Sequence, residues 1–327
     1  YYVPGESRPI KCHKYPNSHG LQSLRQALEN SCNPAFVDLG LRIGKNRTYK
    51  YYEAYGFFEK TGISLSGEPK SGIFYDINKI NDHELGTMSF GQRFTITPLQ
   101  MITAASAIAN DGVLLQPQIV DHITNTDTGE VTTFTPNEVR KVISKETADK
   151  VASMMESVVE IGTGKKVKYD DSIKDSMSGY SIGGKTGTAQ KVGSDGRYMQ
   201  GNYVLSFIGF MPADNPDYVM YIAIDHAKGV TQYGGVVSAP IARNVFKDII
   251  SIHDIKEDTK GIPKSYRWDD IVYKMIPDVI GKTKKEAKKL LQGFNIEFTG
   301  TGDNVIDTSP NVNSRVKEGS TIKVLLN

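Results

Sequence analysis

Cysteine is scarce in this 327-residue chain: Cys12 and Cys32 are the only two. That excludes the disulfide-dense class of small secreted domains. Tryptophan occurs once, at Trp268, and histidine six times. No window approaches the roughly 18 consecutive apolar residues a membrane-spanning helix needs, and no signal peptide is visible. The chain opens on Tyr1-Tyr2-Val3-Pro4-Gly5 without a Met. It therefore reads as part of a longer protein, with any membrane anchor ahead of it. An excess of one charge is also missing: 39 basic against 37 acidic residues leave a net +2, which argues against nucleic acid as the main partner. What the chain does have is 39% hydrophobic residues, enough for one large core and a small second domain.

The stretch with the most chemistry is Ser181-Ile182-Gly183-Gly184-Lys185-Thr186-Gly187-Thr188. Lys185 supplies a point charge for a carboxylate, and Thr186 and Thr188 supply hydroxyl donors. Gly187 lets a ligand approach the backbone without meeting a Cβ. Apolar runs follow from Tyr203 to Met211 and from Tyr218 to Ile224, around a Pro/Asn/Asp turn. They read as a hairpin of buried strands, with the Lys-Thr-Gly segment as an edge strand lining a cleft. A Gly-rich surface turn is the bland alternative.

Two further stretches precede it. Leu21, Leu24, Ala27 and Leu28 have helical spacing, and Asn33-Pro34 opens a second helix with Asn33 as N-cap. The turn between these helices carries Ser31-Cys32-Asn33, so a hydroxyl and an amide can share one cleft. Ser89-Phe90-Gly91-Gln92 then leads to Thr97-Pro98-Leu99-Gln100, a capping box that starts a helix ending at Asn110-Asp111-Gly112.

Lys-Thr-Gly preceded by Ser-x-Asn, with "SFGQ" and "TPLQ" between them, resembles the transpeptidase domain of penicillin-binding proteins over residues 1 to about 253. The resemblance implies an antiparallel sheet flanked by helices, an α/β acyltransferase fold whose N-terminal part is missing here. It also implies a serine nucleophile from Ser-x-x-Lys, upstream of Ser-x-Asn. Ser320-Thr321-Ile322-Lys323 has that spacing but lies at the wrong end, so the nucleophile is expected outside this chain. By the same resemblance Ser31 passes a proton to the leaving group, Asn33 orients the substrate amide, and Lys185 supports both Ser31 and the substrate carboxylate. Thr186 and Thr188 bind that carboxylate beside Gly187. The Thr188 N–H donates to the oxyanion, a contact typically worth ~3–4 kcal/mol.

Both cysteines fall near Ser31. Cys12, His19 and Cys32 offer two thiols and an imidazole, the ligand types of tetrahedral zinc, with His13 or an upstream group as fourth ligand. The spacing is not that of a standard zinc finger. A Cys12–Cys32 disulfide and two independent thiols stand beside zinc as readings. Either cross-link would pin the loop bearing Ser31 and Asn33.

Elsewhere the aromatics between Tyr49 and Phe58 read as helical core. Residues 61–86 read as surface loop, 113–143 as short strands, and 145–159 as a helix with Val151, Met154, Met155 and Val158 inward. The loop from Gly162 to Gly179 reads as polar, with Lys165, Lys166 and Lys168 solvated. A last helix spans about 238–252. His226, at a strand end, reads as structural.

Residues 254–273 read as a charged linker and 274–327 as a small α+β unit. Thr283-Lys284-Lys285-Glu286 is a capping box, and alternating strands follow. "PDVIGKTKKEA…SPNVNSRVKEGSTIKVLL" resembles a PASTA domain. A transpeptidase portion, one PASTA unit and this Cys/His group together resemble the sporulation type of class B penicillin-binding protein, from a spore-forming Gram-positive bacterium. The implied function is peptidoglycan cross-linking on D-Ala-D-Ala stem peptides, with β-lactams as inhibitors, on the extracytoplasmic face of the membrane or in the forespore envelope, among partner proteins of wall synthesis. No metal or other cofactor is needed for the acyl chemistry. A β-lactam sensor or hydrolase, and a non-catalytic wall-binding protein, are the alternatives.

Overall fold

The computed structural model describes residues 1–69, 72–170, 175–194, 197–257 and 273–327. The linker expected at 254–273, including Trp268, lies mostly outside them. The chain divides into two units, residues 1–20 with 25–266, and residues 267–327 with 21–24.

The first unit is built on a three-stranded antiparallel sheet in the order β7-β8-β9, with β7 (Gly183–Val192) at an edge beside β8 (Tyr198–Met211) and β9 (Tyr218–Asp225). Alternation along β8 sends Phe207 and Met211 to one face, where they pack with Ala239, Ala242 and Phe246 of α7 (Gly234–Ile252). Phe210 faces the other way and packs with Ala152 and Met155 of α6 (Lys145–Glu160). Period-2 strands between period-3.6 helices thus give a helix–sheet–helix sandwich. The glycines of β7 fit this packing. A Cβ on Gly184 would lie 2.2 Å from the Phe207 ring, and one on Gly183 2.6 Å from the Phe210 ring.

The expected helix at 145–159 is α6, capped by Ser144, whose hydroxyl accepts from Thr147 N–H at 3.2 Å. The Thr97–Gln100 capping box starts α5 (Pro98–Ala109). Gln100 is buried, and its amide also donates to the carbonyls of Phe57 (3.2 Å) and Glu59 (2.8 Å). α1 (Leu24–Glu29), α2 (Asn33–Ile43) and α3 (Lys45–Ala54) precede it. The aromatics that begin on α3 form a small core: Tyr52 packs on Phe57, Phe74 and Phe94 with centroids 5.4–5.7 Å apart. Between α5 and α6 run two antiparallel pairs, β1 (Val113–Leu115) with β4 (Glu138–Lys141), and between them β2 (His122–Thr124) with β3 (Val131–Thr133); a short pair, β5 (Tyr169–Asp170) with β6 (Asp175–Ser176), follows α6.

Four expectations are corrected. The stretch 61–86 is not all loop, since Asn81 and Glu84 form a capping box that starts α4 (Asp82–Met88). Helix α7 begins at Gly234 and carries Pro240 inside it. Asn33 does not cap α2: it is the first helical residue, and Cys32 takes the N-cap backbone without a side-chain cap. Lys168 is not solvated. It is wholly buried, its ammonium bonds to Glu160, and Tyr169 donates to the other oxygen of Glu160 at 2.8 Å.

The second unit has its own core of Ile276, Val279, Ala287, Leu291, Val305, Ile322, Val324 and Leu326. After β10 (Tyr273–Met275), the capping box of Thr283 and Glu286 starts α8 (Lys284–Leu290). Ala287 is the buried position of that helix, and its lysines face solvent. A sheet of β11 (Asn295–Thr299), β14 (Thr321–Leu326) and β12 (Val305–Ser309) covers the core, with β13 (Arg315–Lys317) paired to β10. Strict alternation of buried and exposed residues along β14 is what half-buried strands require. Both Ser-x-x-Lys spacings of the chain, 314–317 and 320–323, fall in this unit.

Candidate active site

Ser31 sits where α1 stops. Cys32 N–H returns to Ala27 O (3.0 Å) and Ser31 N–H to Leu28 O (3.1 Å). This pair of bonds is a Schellman ending, which places the intervening residue in the left-handed region, usually as Gly. Here that residue is Ser31, with φ +48°. A left-handed non-glycine costs roughly 1–2 kcal/mol.

Lys185 reaches Ser31 from β7. Its Nζ donates to Ser31 Oγ at 2.8 Å and to Thr186 O at 2.8 Å. Residues 154 positions apart in sequence thus meet in one hydrogen bond. Two acceptors favour the protonated amine and burial opposes it. Burial wins, and pulls the Lys185 pKa down to about 8. An amine with that pKa can both hold and release a proton near neutrality.

The threonines of the strand differ in their bonding. Thr188 Oγ1 accepts from the N–H of Gly234 at the start of α7 (3.1 Å), which leaves its own proton free for a ligand. Thr186 Oγ1 donates to Thr163 Oγ1 at 3.0 Å. A Cβ on Gly187 would fall 2.4 Å from Ser206 Oγ on β8, so the immediate neighbour there is protein. Asn33, two residues after Ser31, is half-buried, and among the described residues its amide has no hydrogen-bond partner.

The Cys/His residues also converge. One donor atom each from Cys12, His19 and Cys32 lie within 4.8 Å of one another. Cys12 Sγ is 3.3 Å from His19 Nδ1 and 3.7 Å from His13 Nδ1, and both cysteines are free. Burial, then neighbouring positive charge, lowers the pKa of both imidazoles and so favours their neutral, ligating form. Cys32 lies between Ser31 and Asn33, which puts the cluster beside the cleft, and Lys185 is one of the charges acting on His13. A separate groove of about 550 Å³, lined by Leu99, Ile102, Phe134 and Val219, holds none of these groups.

Sequence reasoning missed Thr163, Glu29 and the Gly234-Gly235 pair. The Gly-Thr-Gly at 162–164 and the paired glycines were the available signals, because glycine at a helix end often marks close packing.

A hydroxyl on a strained turn and a lysine of lowered pKa thus meet beside two threonines on one sheet edge. Residues 1–247 match the penicillin binding protein transpeptidase domain family, and residues 274–327 match the PASTA domain family. The chain belongs to the class B penicillin-binding transpeptidases. It is 40% identical to stage V sporulation protein D of Bacillus subtilis over 321 residues, 97% of this chain and 48% of that protein. It is 30% identical to peptidoglycan D,D-transpeptidase FtsI of Escherichia coli over 236 residues, 72% of this chain and 37% of that one. Among solved structures it resembles penicillin-binding protein 3 of Mycobacterium tuberculosis in complex with aztreonam. That likeness has a TM-score of 0.63 at 29% identity and covers 72% of this chain and 52% of that one. The chain thus spans about half or less of the length of these relatives.

Proposed function

We propose that this chain forms the substrate-gripping part of a penicillin-sensitive D,D-transpeptidase that cross-links peptidoglycan. A serine from a Ser-x-x-Lys ahead of Tyr1 attacks the penultimate D-Ala carbonyl of a stem peptide. The C–N bond to the last D-Ala breaks, and Ser31 passes a proton to the departing amine. An amine of a neighbouring stem then displaces the serine. Lys185 re-protonates Ser31 and holds its hydroxyl in place. The hydroxyls of Thr186 and Thr188 bind the terminal carboxylate, the Thr188 N–H serves the oxyanion, and Asn33 orients the substrate amide. The 2.8 Å bond from Lys185 to Ser31 carries this reading, because it joins the two motifs the chemistry needs. In the intact protein, acylation by a fluorescent penicillin should be abolished by Lys185→Ala. Wild-type labelling by that variant would refute the assignment.

Residues 1–253 are read as the transpeptidase portion, 254–273 as linker and 274–327 as the PASTA unit. The protein acts on the extracytoplasmic face of the membrane, held by an anchor outside this chain, and its likeness to a sporulation protein favours spore-wall synthesis together with partner proteins. Among the described residues no helix is long and apolar enough to cross a membrane.

Cys12, His19 and Cys32 fit a structural zinc, since two sulfurs and a near-neutral imidazole converge within 4.8 Å. His13, or a residue ahead of Tyr1, completes the set. The metal would hold the Ser31 turn and take no part in the acyl chemistry. Protein purified without chelator should carry about one zinc per chain by elemental analysis. Cys32→Ser should lose it together with thermal stability. Metal-free native protein with both thiols freely alkylated would end the zinc reading.

A further inference from the structure

The described transpeptidase cleft has a spacer between its two halves. Thr163 follows α6 in the turn Gly162-Thr163-Gly164, and three neighbours fix its backbone. Its N–H donates to Glu29 O at 3.0 Å, two residues before Ser31. Gly164 N–H returns to Val158 O at 3.1 Å. A Cβ on Gly162 would stand 2.6 Å from Glu29 O, and one on Gly235 of α7 would stand 2.6 Å from Thr163 O. Both glycines therefore allow approaches that no other residue could make. Glu29 is held in turn, since its buried carboxylate accepts from Ser157 Oγ on α6. From this fixed point the Thr163 hydroxyl receives the proton of Thr186, oxygen to oxygen at 3.0 Å.

The substrate makes that placement matter. In a terminal D-Ala the amide nitrogen that needs a proton and the carboxylate that needs binding sit on the same α-carbon. The distance between Ser31 and the Thr186 hydroxyl must therefore match one rigid residue. We infer that Thr163 is a positioning residue for the carboxylate subsite: it ties the Ser31 turn to Thr186 and orients the Thr186 hydroxyl. A hydroxyl can reverse its role. When a carboxylate arrives, Thr186 turns its proton to the ligand and Thr163 donates to Thr186, so that two bonds in series replace one. Valine or alanine at 163 cannot do this, whereas serine can.

This inference rests on the transpeptidase reading, and the test separates the two. In the intact protein, second-order acylation is measured with a penicillin and with its methyl ester for wild type, Thr163→Val, Thr163→Ala, Thr163→Ser and Thr186→Val. Loss of one charge-assisted hydrogen bond corresponds to about tenfold. Thr163→Val and Thr163→Ala should therefore react about tenfold more slowly with the acid, through a weaker binding step, with little change toward the ester. Thr163→Ser should restore the acid rate. Equal losses toward acid and ester, or no loss in either variant that folds, overturns the inference. If Thr186→Val also fails to distinguish acid from ester, the carboxylate assignment itself falls. If Thr186→Val distinguishes them and the Thr163 variants do not, only the role of Thr163 falls.

Discussion

Burying Lys185 leaves a stability signature that can be measured without turnover. Its pKa falls from 10.5 in the unfolded chain to about 8 in the fold. Below pH about 8 the amine is charged in both states, and the fold bears the full cost of enclosing the charge. Between about 8 and 10.5 the unfolded chain binds a proton that the folded chain has released, so stability rises with pH across that window. A pKa difference of this size corresponds to up to about 3 kcal/mol. Urea unfolding of wild type and Lys185→Met at pH 7, 8, 9 and 10 isolates the effect: groups that Lys185 does not touch cancel in the difference, and His13, which Lys185 helps to hold below the ordinary imidazole value, is neutral across this range. The stability of wild type relative to the Met variant should climb by about 2–3 kcal/mol over the series. A flat difference would mean that the ammonium is solvated. A falling one would mean that a carboxylate partners it, contrary to the bonding described.

The Ser31 turn gives a second test. Ser31→Gly and Ser31→Ala both lose the hydroxyl, but only glycine relieves the positive φ. The glycine variant should be about 1 kcal/mol more stable by denaturant midpoint, and neither should retain wild-type acylation in the intact protein. At the end of α6, Lys168→Met should leave Glu160 without its cation and destabilise the first unit by about 3 kcal/mol. Unchanged unfolding there would show that the pair is dispensable.

Elements specified by neighbouring residues were legible in the sequence. Thr97 with Gln100 and Thr283 with Glu286 each start a helix as capping boxes, and the helical spacing of Val151, Met155 and Val158 marks α6. The sheet edge at Lys185 was legible because two buried strands follow it. Where a distant partner decides the local structure, the sequence is silent. Lys168 looked solvated because nothing nearby in a Lys-rich run announces Glu160 as its partner. Asn81 and Glu84 form a capping box as regular as the others, inside a Gly-, Ser- and Asn-rich stretch whose composition reads as loop. Helix α7 begins four residues before the expected Ser238 and accommodates Pro240 past its first turn. Ser31 and Lys185 were each visible as motifs. Thr163, which lies between their elements, carries no motif, and its role emerges only where Glu29, Thr186 and Gly235 converge.

The claim at the centre is that Ser31, Lys185, Thr186 and Thr188 form one acyl-transfer site. A crystal structure of the intact protein acylated by a penicillin tests it most directly. The ligand carboxylate should lie about 3 Å from the hydroxyls of Thr186 and Thr188, with Ser31 Oγ about 3 Å from the former lactam nitrogen. A carboxylate bound elsewhere, with Lys185 and Ser31 remote from the ligand, would contradict the account.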